Sequence, residues 1–176
     1  KFLFTSGSTK MPKPVINTQR MWCANLQQIS LSLPVLAEAP PVLVDWLPWN
    51  HTFGSNHNFG LTLMHGGTLY IDDGKPTGAL IGETLRNLRE IAPTVYFNVP
   101  TGFEMIAEAM KADAQLRTNL LSRVRMFFYS GAGLAQQRRQ RLGTLAQHAD
   151  EFGRQVAQHA GGRDAQARRD VAVVEL

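Results

Sequence analysis

The chain has 176 residues, 44% of them hydrophobic and 18% charged, with a formal net charge of +4. That balance describes a globular chain able to bury about 70% of its unfolded surface, and it excludes a disordered one. The charge divides into +2 over residues 1–135 and +2 over residues 136–176, with no dense basic patch interleaved with aromatics, so nucleic acid is not an expected partner.

No apolar run approaches the ~20 residues of a membrane span, so no membrane partner is expected either. Cys23 is the single cysteine. It excludes an internal disulfide and a multi-cysteine zinc site, and it sets a reducing, cytoplasmic expectation. The chain opens on Lys1 with neither a Met nor a signal-peptide pattern, as expected of a piece of a longer protein.

In chain order, Phe2-Leu3-Phe4 reads as a strand running into Thr5-Ser6-Gly7-Ser8-Thr9-Lys10-Met11-Pro12-Lys13. Thr18 precedes a helix with apolar positions at 22, 26 and 29, and Pro34 and Pro40-Pro41 bracket a loop. Val42-Leu43-Val44 is a short buried strand. An aromatic and polar segment, Asp45 to Gly54, leads through Asn56-His57-Asn58-Phe59 into a helical stretch ending at Met64 and stopped by Gly66-Gly67. Thr68–Ile71 is a strand, residues 80–91 a helix, and Thr94–Val99 a strand ended by Pro100. Two helical pieces to about Leu121 follow, and Met126–Tyr129 is a strand delivering Ser130-Gly131-Ala132-Gly133-Leu134. Leu142, Leu145, Ala149, Phe152 and Val156 are spaced as one face of a last helix, which Gly143 and Gly153 weaken. Alternating strands and helices predict an α/β fold around a largely parallel sheet.

In such sheets ligands bind beyond the carboxyl ends of the strands. Segments 5–13, 48–54 and 130–134 are rich in Gly, Ser, Asn or His and occupy that kind of position. In the first, Gly7 permits a sharp turn that converges peptide N–H groups on an anion. Thr5, Ser6, Ser8 and Thr9 add hydroxyl donors, and Lys13 adds a compact positive charge. It is not a Walker A loop, because no Gly-Lys-Ser/Thr follows at that spacing. The same residues also suit a solvated Ser/Thr-rich turn.

Taken together, the three segments resemble the core motifs of the adenylate-forming superfamily of acyl- and aryl-CoA synthetases. Thr5–Thr9 with Pro12-Lys13 resembles its phosphate loop, and Leu47–Gly54 is similar to the motif whose His or aromatic residue flanks the acyl carboxylate. Ser130-Gly131-Ala132-Gly133-Leu134 resembles the turn beside the adenine and acyl sites. Within the superfamily, Asn17–Met21, Trp49–Gly54, Tyr70–Pro76 and Thr94–Pro100 are most similar to feruloyl-CoA synthases. The resemblance covers residues 1 to about 148.

The resemblance implies an incomplete adenylate-forming N-terminal domain over residues 1–149. It implies a two-step reaction, in which a hydroxycinnamate carboxylate attacks the α-phosphate of ATP and CoA thiol then displaces AMP. Mg²⁺ is the implied metal, with no metal-ligating residue assigned in this chain. His51 and Lys13 become the expected catalytic residues. Thr5, Ser6, Gly7, Ser8, Thr9, Lys13, Ser130, Gly131 and Ala132 become the nucleotide-binding residues, and Trp49, His51, Phe53, Asn56 and Gly131 the aryl-acid-binding residues. Trp46 and Phe59 also have faces suited to an aryl pocket, although at least two of the four aromatics are expected in the core. Asn56, His57 and Asn58 are candidates to meet ring substituents, and Asn98 is a further polar strand-end residue. For His51 a cap on the helix after Pro48 is the other reading.

The family usually has Gly at Lys10 and a small residue at Pro14, where the missing N–H can remove a phosphate contact. Its Tyr-Gly-x-Thr-Glu motif, expected shortly after residue 150, is absent from the sequence. So are its ribose-binding Asp, hinge and small C-terminal domain with a catalytic Lys. Residues 150–176 form an Arg/Ala/Gln/Gly-rich tail, and seven of the thirteen arginines follow Gln136 while all five lysines lie at or before Lys111. A reading-frame change in GC-rich coding DNA would leave that composition, and an alternative frame encoding Tyr-Gly-x-Thr-Glu is its expected signature; a divergent or disordered tail is the other expectation. The chain is thus read as part of an aryl-acid:CoA ligase with little turnover alone, its missing partner being the remainder of its own domain. The alternatives are another acyl- or aryl-CoA ligase, a non-catalytic nucleotide-binding piece, and a piece without function.

Overall fold

A computed structural model describes residues 1–5, 11–130 and 172–175. These residues divide into two compact units, between which the chain passes three times, the last time within a strand.

The first unit comprises Lys1–Pro41 and Leu47–Leu69. Strand β1 (Phe2–Thr5) pairs antiparallel with β2 (Lys13–Ile16), in a register that sets Phe2 opposite Ile16 and Thr5 opposite Lys13. Alternation along β1 buries Leu3 and leaves Phe2 and Phe4 exposed. Helix α1 (Gln19–Ser32) starts where the sequence predicts, because the Thr18 hydroxyl accepts the Met21 N–H at 3.2 Å. Pro34 follows its C-terminus, and the bracketed segment read as a loop contains the single turn α2 (Val35–Glu38). The stretch before Met64 is helical in two forms: a π-helical segment (Thr52–Phe59) continues into α3 (Gly60–Met64).

The second unit comprises Val42–Trp46 and residues 70–176. Its strands are β3 (Val42–Asp45), β5 (Val95–Asn98), β6 (Met126–Tyr129) and β7 (Ala172–Glu175); β4 (Thr68–Ile71) is the strand that joins the units. β5, β6 and β7 form one parallel sheet in that order, with Val95 opposite Met126 and Met126 opposite Ala172. Parallel neighbours need a crossover, which α5 (Pro100–Ala112) and α6 (Ala114–Arg123) supply between β5 and β6. Thr94 ties β3 to this sheet: its N–H donates to Val42 O at 2.9 Å, and its Oγ1 accepts the Val42 N–H at 2.8 Å. The α/β expectation therefore holds, parallel in this unit, while β1 and β2 make an antiparallel hairpin that the sequence reading took as strand and loop. Within the Arg-rich tail, residues 172–175 form a strand; the rest of that tail and the helix predicted around 142–156 lie outside the described residues.

Helix α4 (Ile81–Glu90) lays Leu88 into a core formed with Tyr96, Phe103, Ile106, Leu116, Leu120 and Phe127. Phe103 packs edge-on against both Tyr96 and Phe127, with ring centroids 5.7 Å apart in each pair. Asp113 caps α6, accepting the Leu116 N–H at 2.9 Å, and its other oxygen takes Arg89 Nε at 2.6 Å. The backbone bond and then the guanidinium hold its carboxyl below the usual range. Among the described residues, no helix is long and apolar enough to cross a membrane.

Candidate functional site

The histidine segment of the first unit begins with a tight turn after Pro48, in which Pro48 O accepts the His51 N–H at 3.1 Å. His51 has extended backbone (φ −118°, ψ 148°) and is the N-cap of the π-helical segment, its Nδ1 accepting the Phe53 N–H at 3.3 Å. The capping reading is therefore correct as structure. It also has a chemical consequence: with Nδ1 an acceptor, the neutral ring carries its proton on Nε2, which makes that atom a donor. His51 itself is exposed.

Two aromatic pairs flank this cap. Trp49, 50% exposed, lies 5.1 Å from Phe59 between centroids, and Phe53 meets His57 edge-on at 5.4 Å. His57 is buried, and its Nδ1 lies 2.8 Å from Asn58 Oδ1, which can only accept. Burial lowers the His57 pKa, partly offset by the bond to Asn58. The unfolded chain then takes up a proton near pH ~6.5 that the folded chain resists. Stability is full above that pH and falls as pH drops toward the lowered folded value. Replacing His57 with Gln should flatten this slope in urea unfolding measured from pH 7.5 downward; an unchanged slope would show that another group carries it.

Asn56 is half-buried. Its Nδ2 donates to Asn17 Oδ1 at 2.8 Å, its backbone carbonyl accepts the Trp22 indole N–H at 2.8 Å, and its Oδ1 is buried without a hydrogen-bond partner. Lys1 Nζ donates to Ser55 Oγ at 3.0 Å, and Ser55 Oγ donates to His51 O at 3.1 Å. Sequence reasoning passed over Lys1, Trp22 and Ser55, since Trp22 read only as an apolar helix position.

Thr5 and Lys13, both expected to bind nucleotide, are backbone partners in the hairpin register, and Lys13 is exposed on β2. Ser6, Gly7, Ser8 and Thr9 lie outside the described residues, as do Gly131 and Ala132; Ser130 is half-buried directly after β6. In the second unit, Trp46 is hydrogen-bonded to the end of β5. Its indole N–H donates at 3.1 Å to Asn98 Oδ1, which also accepts the Val99 N–H, and Asn98 Nδ2 donates to the Tyr96 hydroxyl. Burial first, then the charges of Asp72 and Asp45, raise the Tyr96 phenol far above its ordinary pKa, so it stays neutral and accepts the Asn98 amide. Among the described residues no group of three His, Cys, Asp or Glu side chains could hold a metal ion. The implied Mg²⁺ therefore finds no protein cage among them; phosphate oxygens are its natural ligands.

The AMP-binding enzyme family matches residues 2–155 of this chain. The long-chain-fatty-acid–CoA ligase ACSBG2 of Xenopus laevis is 28% identical over 134 residues, 75% of this chain and 18% of that protein. The ACSBG2 protein of Gallus gallus is 30% identical over 134 residues, 75% of this chain and 17% of its own length. A malonyl-CoA ligase solved as a ternary product complex with methylmalonyl-CoA and AMP superposes with a TM-score of 0.67 at 26% identity, covering 82% of this chain and 30% of that one. The chain thus spans less than a fifth of the curated relatives' length. With its α/β architecture and with the family matching nearly nine-tenths of its residues, the chain belongs to the AMP-binding enzyme family.

Proposed function

We propose that the chain carries the acid-binding part of the adenylation site of an ATP-dependent aryl-acid:CoA ligase of feruloyl-CoA synthase type. The observation that carries this reading is the His51 cap, whose Nε2–H donor belongs to the same short segment as the Trp49–Phe59 and Phe53–His57 ring pairs. An aryl carboxylate needs one donor to orient its nucleophilic oxygen and flat faces to hold its ring. His51 supplies the first and the aromatics the second. Asn56 Oδ1 is an acceptor of the kind a phenolic hydroxyl requires. Attack on the α-phosphate spreads negative charge over phosphate oxygens, which Lys13 and the Thr5–Thr9 donors would neutralise. CoA would act in the second step, in the longer protein.

The relatives' names favour a second reading, a long-chain fatty acid as substrate. Equilibrium dialysis of the 176-residue chain against ferulate and palmitate separates the two. Ferulate should bind, and His51→Ala should weaken it about tenfold, the worth of one charge-assisted hydrogen bond. Palmitate binding without ferulate binding favours the second reading, and binding of neither overturns both. Ferulate-dependent ATP–pyrophosphate exchange should be absent, because the sequence lacks Tyr-Gly-x-Thr-Glu; exchange at enzymatic rates would refute that dependence.

A further inference from the structure

We infer that Trp22, seated by Gly60 and Lys1, is a positioning residue for His51, acting through the π-helical segment. The inference rests on the functional reading above. A π-helical turn is rarely stable unaided, because widening the winding displaces carbonyls from their usual i+4 partners. Here one carbonyl finds a partner outside the helix, and the first turn is tied from within and then from Lys1. Asn56 O takes the Trp22 indole N–H at 2.8 Å. His51 O takes both the Ser55 N–H at 3.0 Å and the Ser55 hydroxyl at 3.1 Å. Ser55 Oγ in turn accepts from Lys1 Nζ at 3.0 Å.

The indole can reach Asn56 only because residue 60 has no side chain. A Cβ on Gly60 would stand 2.6 Å from Trp22 Nε1 and 3.0 Å from a Leu26 methyl. On the indole's face, the Lys1 ammonium sits 4.6 Å from the ring centroid, within cation–π range. The same ammonium therefore fixes the Trp22 ring and, through Ser55, the His51 carbonyl. Asn17 adds a third tie by accepting from Asn56 Nδ2. Every tie lands on residues 51–56, and none uses the His51 imidazole or the faces of Trp49 and Phe53. The arrangement orients the segment that presents the donor and leaves the donor open to a ligand.

The test uses the 176-residue chain, with ferulate as the probe and two readouts: the ferulate dissociation constant, and the shift of the His51 imidazole Cε1–H resonance on ferulate addition. Trp22→Phe keeps the ring and removes the N–H. It should weaken ferulate about tenfold and shrink the His51 response, while amide shifts of α5 and α6 stay as in the parent chain. Lys1→Met should weaken ferulate several-fold, and Lys1→Arg should recover it to within about twofold, because guanidinium keeps both the charge over the indole and a donor for Ser55. Since Lys1 is exposed, this pair decides the matter even if Trp22→Phe fails to fold. Ferulate affinities within about twofold of the parent in Trp22→Phe and Lys1→Met would overturn the positioning role alone. Failure of the parent chain to bind ferulate overturns the functional reading and the positioning role together.

Discussion

Gly54→Ala is expected to destabilise the first unit by about 3 kcal/mol and to abolish ferulate binding, the largest effect of any single methyl added to the histidine segment. A Cβ at this position would lie 2.5 Å from Leu47 O, 2.6 Å from Pro48 O and 2.8 Å from Leu47 C. These are backbone atoms, so no rotamer change relieves the clash; the turn itself must open. Pro48 O is also the acceptor for the His51 N–H at 3.1 Å, so opening the turn releases the residue whose imidazole caps the π-helical segment. Stability and acid binding should therefore fall together. Gly82→Ala is the control: a Cβ there meets nothing within 4 Å, and in α4 the change should be neutral or stabilising by about 0.5–1 kcal/mol. Urea unfolding followed by Trp emission, beside ferulate dialysis, checks both variants. A Gly54→Ala chain with parental urea midpoint and ferulate affinity would show that the turn yields where it is described as rigid.

Strands and helices with local signals were legible in the sequence. Thr68–Ile71 and Met126–Tyr129 fall on the predicted residues, because β-branched and aromatic runs bounded by turns need no distant partner to be recognised. The start of α1 was legible for a similar reason, since a hydroxyl cap is a three-residue signal. β2 was not, because Lys13-Pro14-Val15-Ile16 has no alternation and forms a strand only against Phe2–Thr5. The π-helical winding was invisible for a related reason: its Ser55 hydroxyl and Asn56 carbonyl are bonded by Lys1 and Trp22, far away in sequence, and residue periodicity records nothing of such partners. At the site, a helix cap after Pro48 was one of the two readings of His51, and the structure has that cap. What escaped was the division of the aromatics. Trp46, three residues before Trp49, is turned to Asn98 at the end of β5, a pairing 52 residues apart in the chain.

That pairing adjoins the second large effect, at Asp72. Asp72 is buried, and its carboxylate accepts three donors: the Gly74 N–H at 2.8 Å, the Thr84 hydroxyl at 2.6 Å and Asn87 Nδ2 at 2.9 Å. They come from the turn after β4 and from two successive turns of α4, so one side chain fastens strand, turn and helix. Asp72→Ala leaves all three donors without their acceptor and should cost the second unit about 3–5 kcal/mol, in the range for breaking a buried charged network on one side. Asp72→Asn, isosteric and still able to accept on one oxygen, should cost less, about 1–2 kcal/mol. Thr84→Val removes a single donor and should cost a similar amount. Because Asp72 and Thr84 share one bond, the double variant Asp72→Ala/Thr84→Val should cost clearly less than the two single losses added together. Urea unfolding of the four chains, read by far-UV circular dichroism, gives the coupling. Strict additivity would mean that the 2.6 Å contact contributes nothing, and an Asp72→Ala loss below about 1 kcal/mol would place the hold on α4 elsewhere, in Leu88 and the packing around Phe103.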